Sequence, residues 1–360
     1  MLCSSSRHLI DLSDWPKESW ESLIQLALEI EKDPHKFYGR MEGKILATLF
    51  YEPSTRTQNS FKSAMYRLGG QTLGFANPKD SSVAKGETLA DTIRMMNGYA
   101  DIIAIRHPQE GAAKTAAAYS RCPVINAGDG GHLHPTQTLT DLVTLVREKG
   151  RLDNLTVGIC GDLKYGRTVH SLIKALTRFP NNRFILISTK ELAIPAYVKT
   201  VLNSAGCPYQ EVQSLSEVIG DLDVLYMTRI QQERFASREE YERQKNVYVL
   251  DTEKMSLAKP DMRVLHPLPR IDEITPEVDD DPRAVYFKQA QNGVYTRMAL
   301  ILTLLEGTAP EVTLFHGAPH NSECCENPNC ITNHESYLKK SYLETGGMLV
   351  CEYCEHKKLI

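Results

Sequence analysis

The sequence has no long hydrophobic run and no excess of positive charge. No stretch approaches the ~18 apolar residues typical of a membrane span, and residues 1–8 lack the apolar core of a signal peptide. We therefore expect a cytoplasmic protein that neither spans nor binds a membrane. The net charge of −4 also argues against binding to nucleic acid, so an anion site must come from locally clustered cations.

The 360 residues, 42% of them hydrophobic, are enough for two or three domains with buried cores. Apolar runs alternate with helical patterns, which favours parallel sheets covered on both faces. The predicted strands are 45–50, 102–105, 124–126, 155–160, 183–188, 224–227 and 247–250. We predict two doubly wound α/β domains, joined by a helix near 137–149 and closed by one near 297–306. Ligands are expected beyond the carboxyl ends of the strands, in a cleft between the domains.

A proline and four polar residues follow the first predicted strand: Pro53 is followed by Ser54, Thr55, Arg56 and Thr57. Small hydroxyl residues at a helix start direct free backbone N–H groups and the positive end of the helix dipole at an anion. The arginine adds a guanidinium that can hold phosphate in a bidentate manner. The alternative is a simple helix cap. The two roles are compatible, and the pattern favours a phosphate site.

Further motifs follow later predicted strands. They are Arg106-His-Pro108, His134-Pro-Thr-Gln-Thr138, Gly161-Asp-Leu-Lys-Tyr-Gly-Arg167, Tyr226-Met-Thr-Arg-Ile-Gln231 and His266-Pro-Leu-Pro-Arg270. Together with the Ser54–Thr57 motif, and in this order over roughly the first 308 residues, they resemble the transcarbamylase family, and within it the catalytic chains of aspartate carbamoyltransferases. Several motifs in register are far more specific than one short motif.

This resemblance implies transfer of a carbamoyl group from carbamoyl phosphate to L-aspartate, an early step of pyrimidine biosynthesis, with no cofactor for catalysis. The catalytic residues implied by it are Arg56, Thr57, Arg106 and His134. Those implied for carbamoyl phosphate are Ser54, Thr55, Arg56, Thr57, Ser81, Lys85, Arg106, His134 and Gln137. Those implied for aspartate are Lys85, Arg167, Arg229, Gln231, Pro267 and Leu268.

Several of these residues also have a structural interpretation. Arg106 can be a surface arginine, Lys85 a solvated loop lysine and His134 a helix cap, while Arg167 and Arg229 can lie on solvated surfaces.

In the family, a serine and a lysine of the loop that matches 80–87 act in the site of a neighbouring subunit. The resemblance therefore implies a homotrimer or a higher assembly with shared active sites.

The last 40 residues are rich in cysteine. Cys325 and Cys330 form a C-x4-C pair, and Cys351 and Cys354 form a C-x2-C pair after twenty intervening residues. Two such pairs predict a tetrahedral zinc site in a small zinc-ribbon-like domain; buried free thiols are the alternative. Other potential ligands are Cys324, His316 and His356.

This tail resembles the zinc domain of the regulatory chain of aspartate carbamoyltransferase, here fused to a catalytic chain. The resemblance implies a structural zinc ion and a contact with a catalytic chain, for which we expect a neighbouring copy. The expected domains are 1–135 with 288–308 packing back, 136–287, and 311–360.

The sequence disfavours three alternative functions. An ornithine or other amine carbamoyltransferase is disfavoured by Arg167, Arg229 and Pro267, and a catalytically silent scaffold by the presence of every expected site residue. A zinc-dependent nucleic-acid binder is disfavoured because the tail lacks a basic stripe.

Overall fold

The computed structural model describes residues 7–230, 238–239, 241, 247–319 and 324–359. The chain forms two compact units, Met1–Thr136 with Val294–Ile360, and Gln137–Gly293. Within the described ranges, no helix is both long and apolar enough to cross a membrane.

The helices of the described residues are α1 (Lys17–Lys32), α2 (Thr55–Arg67), α3 (Leu89–Met96), α4 (Ala112–Tyr119), α5 (Pro135–Lys149), α6 (Arg167–Leu176), α7 (Ala196–Ser204), α8 (Thr252–Leu257) and α9 (Tyr286–Leu305). The strands are β1 (Ile45–Phe50), β2 (Gln71–Phe75), β3 (Ile102–His107), β4 (Val124–Asp129), β5 (Thr156–Cys160), β6 (Arg183–Ile187), β7 (Tyr209–Val212), β8 (Val224–Met227), β9 (Arg263–Leu265), β10 (Ala318–Pro319), β11 (Ser341–Thr345), β12 (Met348–Cys351) and β13 (Lys357–Leu359).

The first unit contains a parallel sheet with strand order β2-β1-β3-β4. Its central strands β1 and β3 are almost entirely buried, which explains their largely apolar sequences, because parallel strands are covered on both faces. Thr88 precedes α3, and its side chain accepts a hydrogen bond from the backbone N–H of Asp91, as a helix cap does.

The second unit contains a parallel sheet with strand order β7-β6-β5-β8-β9. Its core includes Ile185, Leu225 and Val264 from three of these strands. The prediction of two parallel-sheet α/β domains is thus confirmed.

The C-terminal segment forms an antiparallel sheet with strand order β10-β11-β12-β13. We call residues 324–359 the cysteine module. Its buried side chains share a hydrophobic cluster with the alanines of α4 in the first unit of the same chain. Contact with a neighbouring chain stays a prediction.

The structure differs from the sequence prediction in three ways: one predicted strand is wrong, some strands were missed, and the last helix begins earlier than predicted. The strand predicted at 247–250 is wrong: only Leu250 forms an isolated bridge, to Ile274, and the apolar pattern there reflects burial of Tyr248 and Leu250 in the core. Strands β2, β7 and β9 were not predicted. Much of the surface of β2 and β7 is exposed, and β9 has only three residues. The last helix begins at Tyr286, well before residue 297. The sequence pattern did not show this early start, because the buried polar residues Gln289 and Asn292 interrupt the apolar spacing.

Candidate active site

The first sheet reverses its strand order between β1 and β3, since β2 lies on one side of β1 and β3 on the other. Ligands of open α/β sheets bind outside the carboxyl ends of the strands at such a point. The Ser54–Thr57 motif follows β1, and Arg106 is the penultimate residue of β3. The backbone N–H of Tyr51 donates to the carbonyl oxygen of Arg106 at 2.8 Å, which joins the two strand exits.

The start of α2 has the properties of an anion site. Ser54 occupies the cap position, yet within the described residues its side chain makes no capping hydrogen bond, and the first turn has no acidic residue. The first backbone N–H groups of a helix have no partner inside it. Thr55 and Arg56 are exposed and Thr57 is half-buried; partial burial lowers the pKa of the Arg56 guanidinium. A simple cap is therefore an incomplete description of this motif.

Arg106 is buried, with 8% of its surface exposed, so the surface interpretation of this residue is wrong. Its Nη2 atom donates to Oε1 of Glu52 at 2.9 Å, and Nη1 lies 3.5 Å from the carbonyl oxygen of Ala127. Its buried Nε atom has no hydrogen-bond partner among the described residues. A buried donor without a partner costs about 1–3 kcal/mol, which an anionic ligand would offset.

The side chains of His134 and Arg106 both lie next to Gly128. Gly128 has a φ of +123°, and a Cβ atom built on it would lie 3.0 Å from Nη1 of Arg106 and 3.6 Å from Cδ2 of His134. His134 is buried and directly precedes Pro135, the first residue of α5. The structure thus brings together two side chains that were predicted to be catalytic.

Arg297 and Thr136 border the same region of the first unit. The guanidinium carbon of Arg297 lies 4.9 Å from the ring centroid of Phe61 in α2, and its Nη2 atom lies 3.4 Å from Oγ1 of Thr136. Arg297 lies inside α9 and was not among the site residues predicted from the sequence.

Ser81 and Lys85 lie in the loop before α3. The hydroxyl of Ser81 donates to the carbonyl oxygen of Pro78 at 2.8 Å and accepts from the N–H of Val83 at 3.3 Å, at the start of a short 3₁₀ turn. Lys85 ends that turn and is exposed. Within this single chain, its interpretation as a solvated lysine stays open.

Gln137 belongs to the second unit, where a buried carboxylate holds it. Its Nε2 atom donates to Oδ1 of Asp141 at 2.8 Å, and the same oxygen accepts from Nε2 of Gln289 at 2.6 Å. The hydroxyl of Tyr226 donates to Oδ2 of Asp141 at 3.0 Å. This network fixes the amide of Gln137 near the start of α5. Sequence reasoning missed Asp141, although its i, i+4 spacing from Gln137 was a usable signal.

The second sheet reverses its strand order between β5 and β8, and the two predicted aspartate-binding arginines follow these strands. Arg167 is the first residue of α6 after β5, and Arg229 follows β8; both are half-buried. The two loops touch, because a Cβ atom on Gly161 would lie 2.4 Å from the carbonyl oxygen of Thr228. Gln231, also predicted to bind aspartate, lies outside the described residues.

The turn after β9 contains Pro267 and Leu268. Leu268 has a φ of +53°, and its N–H donates to Nδ1 of His266 at 2.8 Å. Nε2 of His266 lies 2.7 Å from Oε1 of Glu273. Burial acts to raise the pKa of Glu273, but the hydrogen bonds that its carboxylate accepts, first of all from His266, outweigh burial and the pKa is lowered. This network holds the turn in a conformation that is unusual for leucine.

The four predicted metal ligands form one buried cluster. The Sγ atoms of Cys325, Cys330, Cys351 and Cys354 all lie within 4.8 Å of one another. Two of the separations are 3.5 Å and 3.8 Å, and a tetrahedral zinc ion with bonds of about 2.3 Å requires sulfur atoms about 3.8 Å apart. The thiols therefore fit a zinc ion. Among the described residues, the cluster does not include Cys324, His316 or His356.

Comparison with known proteins agrees with this geometry. A family model described as aspartate/ornithine carbamoyltransferase, carbamoyl-P binding domain, matches residues 7–147. A second, for the Asp/Orn binding domain, matches residues 153–304. The chain is 60% identical over 299 residues to an aspartate carbamoyltransferase catalytic subunit of Clostridium novyi, covering 83% of this chain and 98% of that one. It is 57% identical over 300 residues to the same subunit of Finegoldia magna, with the same coverage.

Solved structures of similar proteins share the fold. The catalytic subunit of M. jannaschii aspartate transcarbamoylase superimposes with a TM-score of 0.79 at 48% identity, covering 84% of this chain and 98% of that one. The Trypanosoma cruzi aspartate transcarbamoylase in complex with carbamoyl phosphate and aspartate gives a TM-score of 0.78 at 37% identity, with coverage of 83% and 97%. The chain belongs to the aspartate/ornithine carbamoyltransferase family.

Proposed function

We propose that this protein is an aspartate carbamoyltransferase, which converts carbamoyl phosphate and L-aspartate into N-carbamoyl-L-aspartate and phosphate in pyrimidine biosynthesis. The observation that carries the proposal is the pairing of Arg106 with His134 around Gly128, beside the open start of α2. The 60% identity to catalytic subunits of that name supports aspartate over ornithine as the amine substrate.

Carbamoyl phosphate binds at the start of α2. The phosphate accepts hydrogen bonds from the backbone and side chains of Ser54, Thr55, Arg56 and Thr57, where the helix dipole favours negative charge. Arg106 contributes the buried Nε donor described above. Ser81 and Lys85 complete the phosphate site from a neighbouring subunit of a homotrimer or a higher assembly.

His134, Arg106 and Thr57 polarise the carbonyl group of carbamoyl phosphate. They donate hydrogen bonds to its oxygen, which gains negative charge as the carbonyl carbon becomes tetrahedral, and preorganised donors of this kind stabilise the transition state. Gln137, held by Asp141, binds the carbamoyl amide. A buried pair of fixed donors suits this task because little reorganisation is needed during the reaction.

Aspartate binds to groups of the second unit. Arg167 and Arg229 each hold one carboxylate, because a guanidinium matches a carboxylate in a bidentate manner, and Gln231 and Lys85 add further contacts. The carbonyl oxygens of Pro267 and Leu268 accept hydrogen bonds from the substrate amine and amide. The fixed turn around Leu268 supports this role.

The amine nitrogen of aspartate attacks the carbonyl carbon, so that a C–N bond forms and the C–O bond to phosphate breaks. The departing phosphate carries away the electron pair and accepts the proton of the amine. No protein nucleophile and no catalytic cofactor take part. Orientation and fixed charge are then the main sources of rate acceleration.

The cysteine module binds a structural zinc ion through Cys325, Cys330, Cys351 and Cys354, and resembles the regulatory-chain zinc domain. Bound zinc stabilises the fold of a small module rather than the reacting groups. We also propose a cytoplasmic location, and a contact of the module with a neighbouring catalytic chain.

The decisive experiment measures phosphate release from carbamoyl phosphate with L-aspartate and, separately, with L-ornithine. Turnover that depends on aspartate, and is lost in Arg229→Ala, would support both the reaction and its specificity. Arg178→Ala, which changes an exposed arginine two residues after the end of α6, serves as a control and should keep activity. Turnover with ornithine alone would contradict the proposal. No turnover with either amine, in zinc-loaded oligomeric protein, would favour a catalytically silent scaffold.

A further inference from the structure

The cysteine module caps the helix that follows the Lys85 loop. The N–H of Leu89 donates to Oε1 of Glu335 at 3.1 Å, and the N–H of Ala90 donates to the hydroxyl of Tyr337 at 3.0 Å. These are the first two residues of α3, whose N–H groups have no partner inside the helix. Two side chains of the module therefore fix this helix start.

A second contact joins the module to the segment that follows β3. The N–H of Glu110 donates to the carbonyl oxygen of Asn329, and the N–H of Ile331 donates to the carbonyl oxygen of Glu110, both at 2.9 Å. Nδ2 of Asn327 donates to Oε2 of Glu110 at 2.6 Å. Arg106 lies in β3, just before this segment. The module therefore fixes the stretch of chain that directly follows a proposed catalytic residue.

The interface between the module and α4 is tightly packed. Gly111 precedes α4 with a φ of +86°, and a Cβ atom on it would lie 2.7 Å from Cβ of Tyr353. Cys325, Cys330 and Ile331 lie in one hydrophobic cluster with the alanines of this helix. The backbone hydrogen bonds and the close approach of Gly111 to Tyr353 are typical of a specific, well-packed interface. A loosely attached tail would have neither.

Ser81 and Lys85 lie in the loop that the module anchors. This loop has a short 3₁₀ turn followed by Gly86 in the left-handed conformation, and it ends where α3 begins. We infer that Glu335 and Tyr337 are positioning residues, which hold the start of α3 and thereby set how the loop presents Ser81 and Lys85. The consequence for catalysis rests on the proposed function; the anchoring of the loop does not.

Metal binding maintains this anchor. The module is below about 40 residues, a size at which a fold usually needs a metal or disulfides, and its four buried thiols meet the geometry of a zinc site. Without metal, such small domains lose their fold. The side-chain oxygens of Glu335 and Tyr337 would then no longer accept hydrogen bonds from the start of α3. The end of the Lys85 loop that leads into this helix would no longer be fixed.

The test uses the full chain with the double substitution Glu335→Ala and Tyr337→Phe. Amide hydrogen exchange of peptides within 81–96 should become at least about tenfold faster, because two hydrogen bonds at the helix start are removed. The value of kcat/KM should fall by about tenfold, which corresponds to about 1.4 kcal/mol. Zinc content should stay that of the unsubstituted protein.

Two control variants separate anchoring from general damage. Glu335→Gln keeps an oxygen acceptor for the N–H of Leu89, so it should retain slow exchange. Tyr353→Phe removes a hydroxyl that donates to the carbonyl oxygen of Lys339 inside the module, so exchange within 81–96 should stay unchanged. In the unsubstituted protein, removal of zinc with a chelator should speed exchange within 81–96 and 108–116 but not in β5.

Unchanged exchange within 81–96 in the double variant would overturn the inference. Faster exchange with unchanged kcat/KM would also overturn it, because the loop would then move without affecting the site. If the unsubstituted protein shows no turnover with aspartate, the proposed function fails. The exchange measurement then decides by itself whether the module anchors the loop.

Discussion

Nη2 of Arg106 lies 2.9 Å from Oε1 of Glu52. The arginine is buried in β3, whereas the Glu52 side chain is about one third exposed, at 36%. Glu52 follows β1, so this ion pair links the two strand exits on either side of the strand-order reversal. The carboxylate orients the guanidinium and leaves the buried Nε atom as a donor for substrate.

Replacement of Glu52 by alanine should lower kcat/KM by about tenfold. A hydrogen bond to a charged group contributes about 1.5–3 kcal/mol, and the partial exposure of Glu52 favours the lower end of this range. Steady-state kinetics with carbamoyl phosphate as the varied substrate would measure the effect. Glu42→Ala, at an exposed position, is the control. Equal kinetics in the two variants would mean that Glu52 does not orient Arg106.

Gly128→Ala should disrupt the site without unfolding the first unit. The added Cβ atom would lie 3.0 Å from Nη1 of Arg106 and also meet His134, so both groups must move. Loss of one donor to a developing oxyanion costs about 10²- to 10³-fold in kcat, and we expect a loss of that order.

Gly43→Ala is the matched control for this substitution. Gly43 also has a positive φ, +74°, but a Cβ atom there would have no neighbour within 4 Å. Both variants therefore carry backbone strain, and only the first crowds the site. If the two variants lost activity equally, strain rather than crowding would be the cause.

His107 should make the first unit less stable as the pH falls below about 6.5. Burial lowers the pKa of this histidine to about 4, although Asp129 acts to raise it. Between these pH values the unfolded chain binds a proton that the folded chain does not. The free energy of unfolding should therefore decrease by about 2 kcal/mol from pH 7 to pH 5 on account of this residue.

Thermal unfolding of the unsubstituted protein and His107→Gln at pH 7 and pH 5 would measure this contribution. Glutamine keeps an acceptor for the N–H of Gln109, which donates to Nδ1 of His107, but it does not titrate. The decrease in Tm on acidification should be smaller in the variant by about 4–8 °C. The same decrease in both proteins would assign the pH effect to other groups.

Most of the residues proposed for the first site could be identified from the sequence because their signals are local. Ser54, Thr55, Arg56 and Thr57 are consecutive, and Arg106 and His134 each adjoin a strand end or a helix start. Glu52 and Gly128 were missed, because their roles depend on contacts between separate strands. The packing of the module on α4 was not predicted either, since no local pattern pairs Glu335 with Leu89, 246 residues away.

Zinc content should distinguish the four clustered cysteines from the fifth cysteine of the tail. Cys354→Ser removes one thiolate of the cluster and should lower metal content from one equivalent per chain to well below one. Cys324→Ser is the control, since Cys324 is exposed and outside the cluster among the described residues. Metal analysis after dialysis would measure both. Equal zinc content in the two variants would show that Cys354 is not a ligand.

Mixing two inactive variants tests whether active sites are shared between subunits. Lys85→Ala and Arg56→Ala should each lose most activity, because each removes a cation from the proposed phosphate site. If one site takes Arg56 from one chain and Lys85 from its neighbour, random exchange of subunits at equal concentrations leaves about a quarter of the sites intact. Activity should therefore recover to about a quarter of that of the unsubstituted protein after dissociation and reassembly, and not in pools mixed without reassembly. If both residues served a site within one chain, every site in the mixture would carry one defect. The absence of recovery in reassembled protein of the correct size would then place Lys85 outside the neighbouring site.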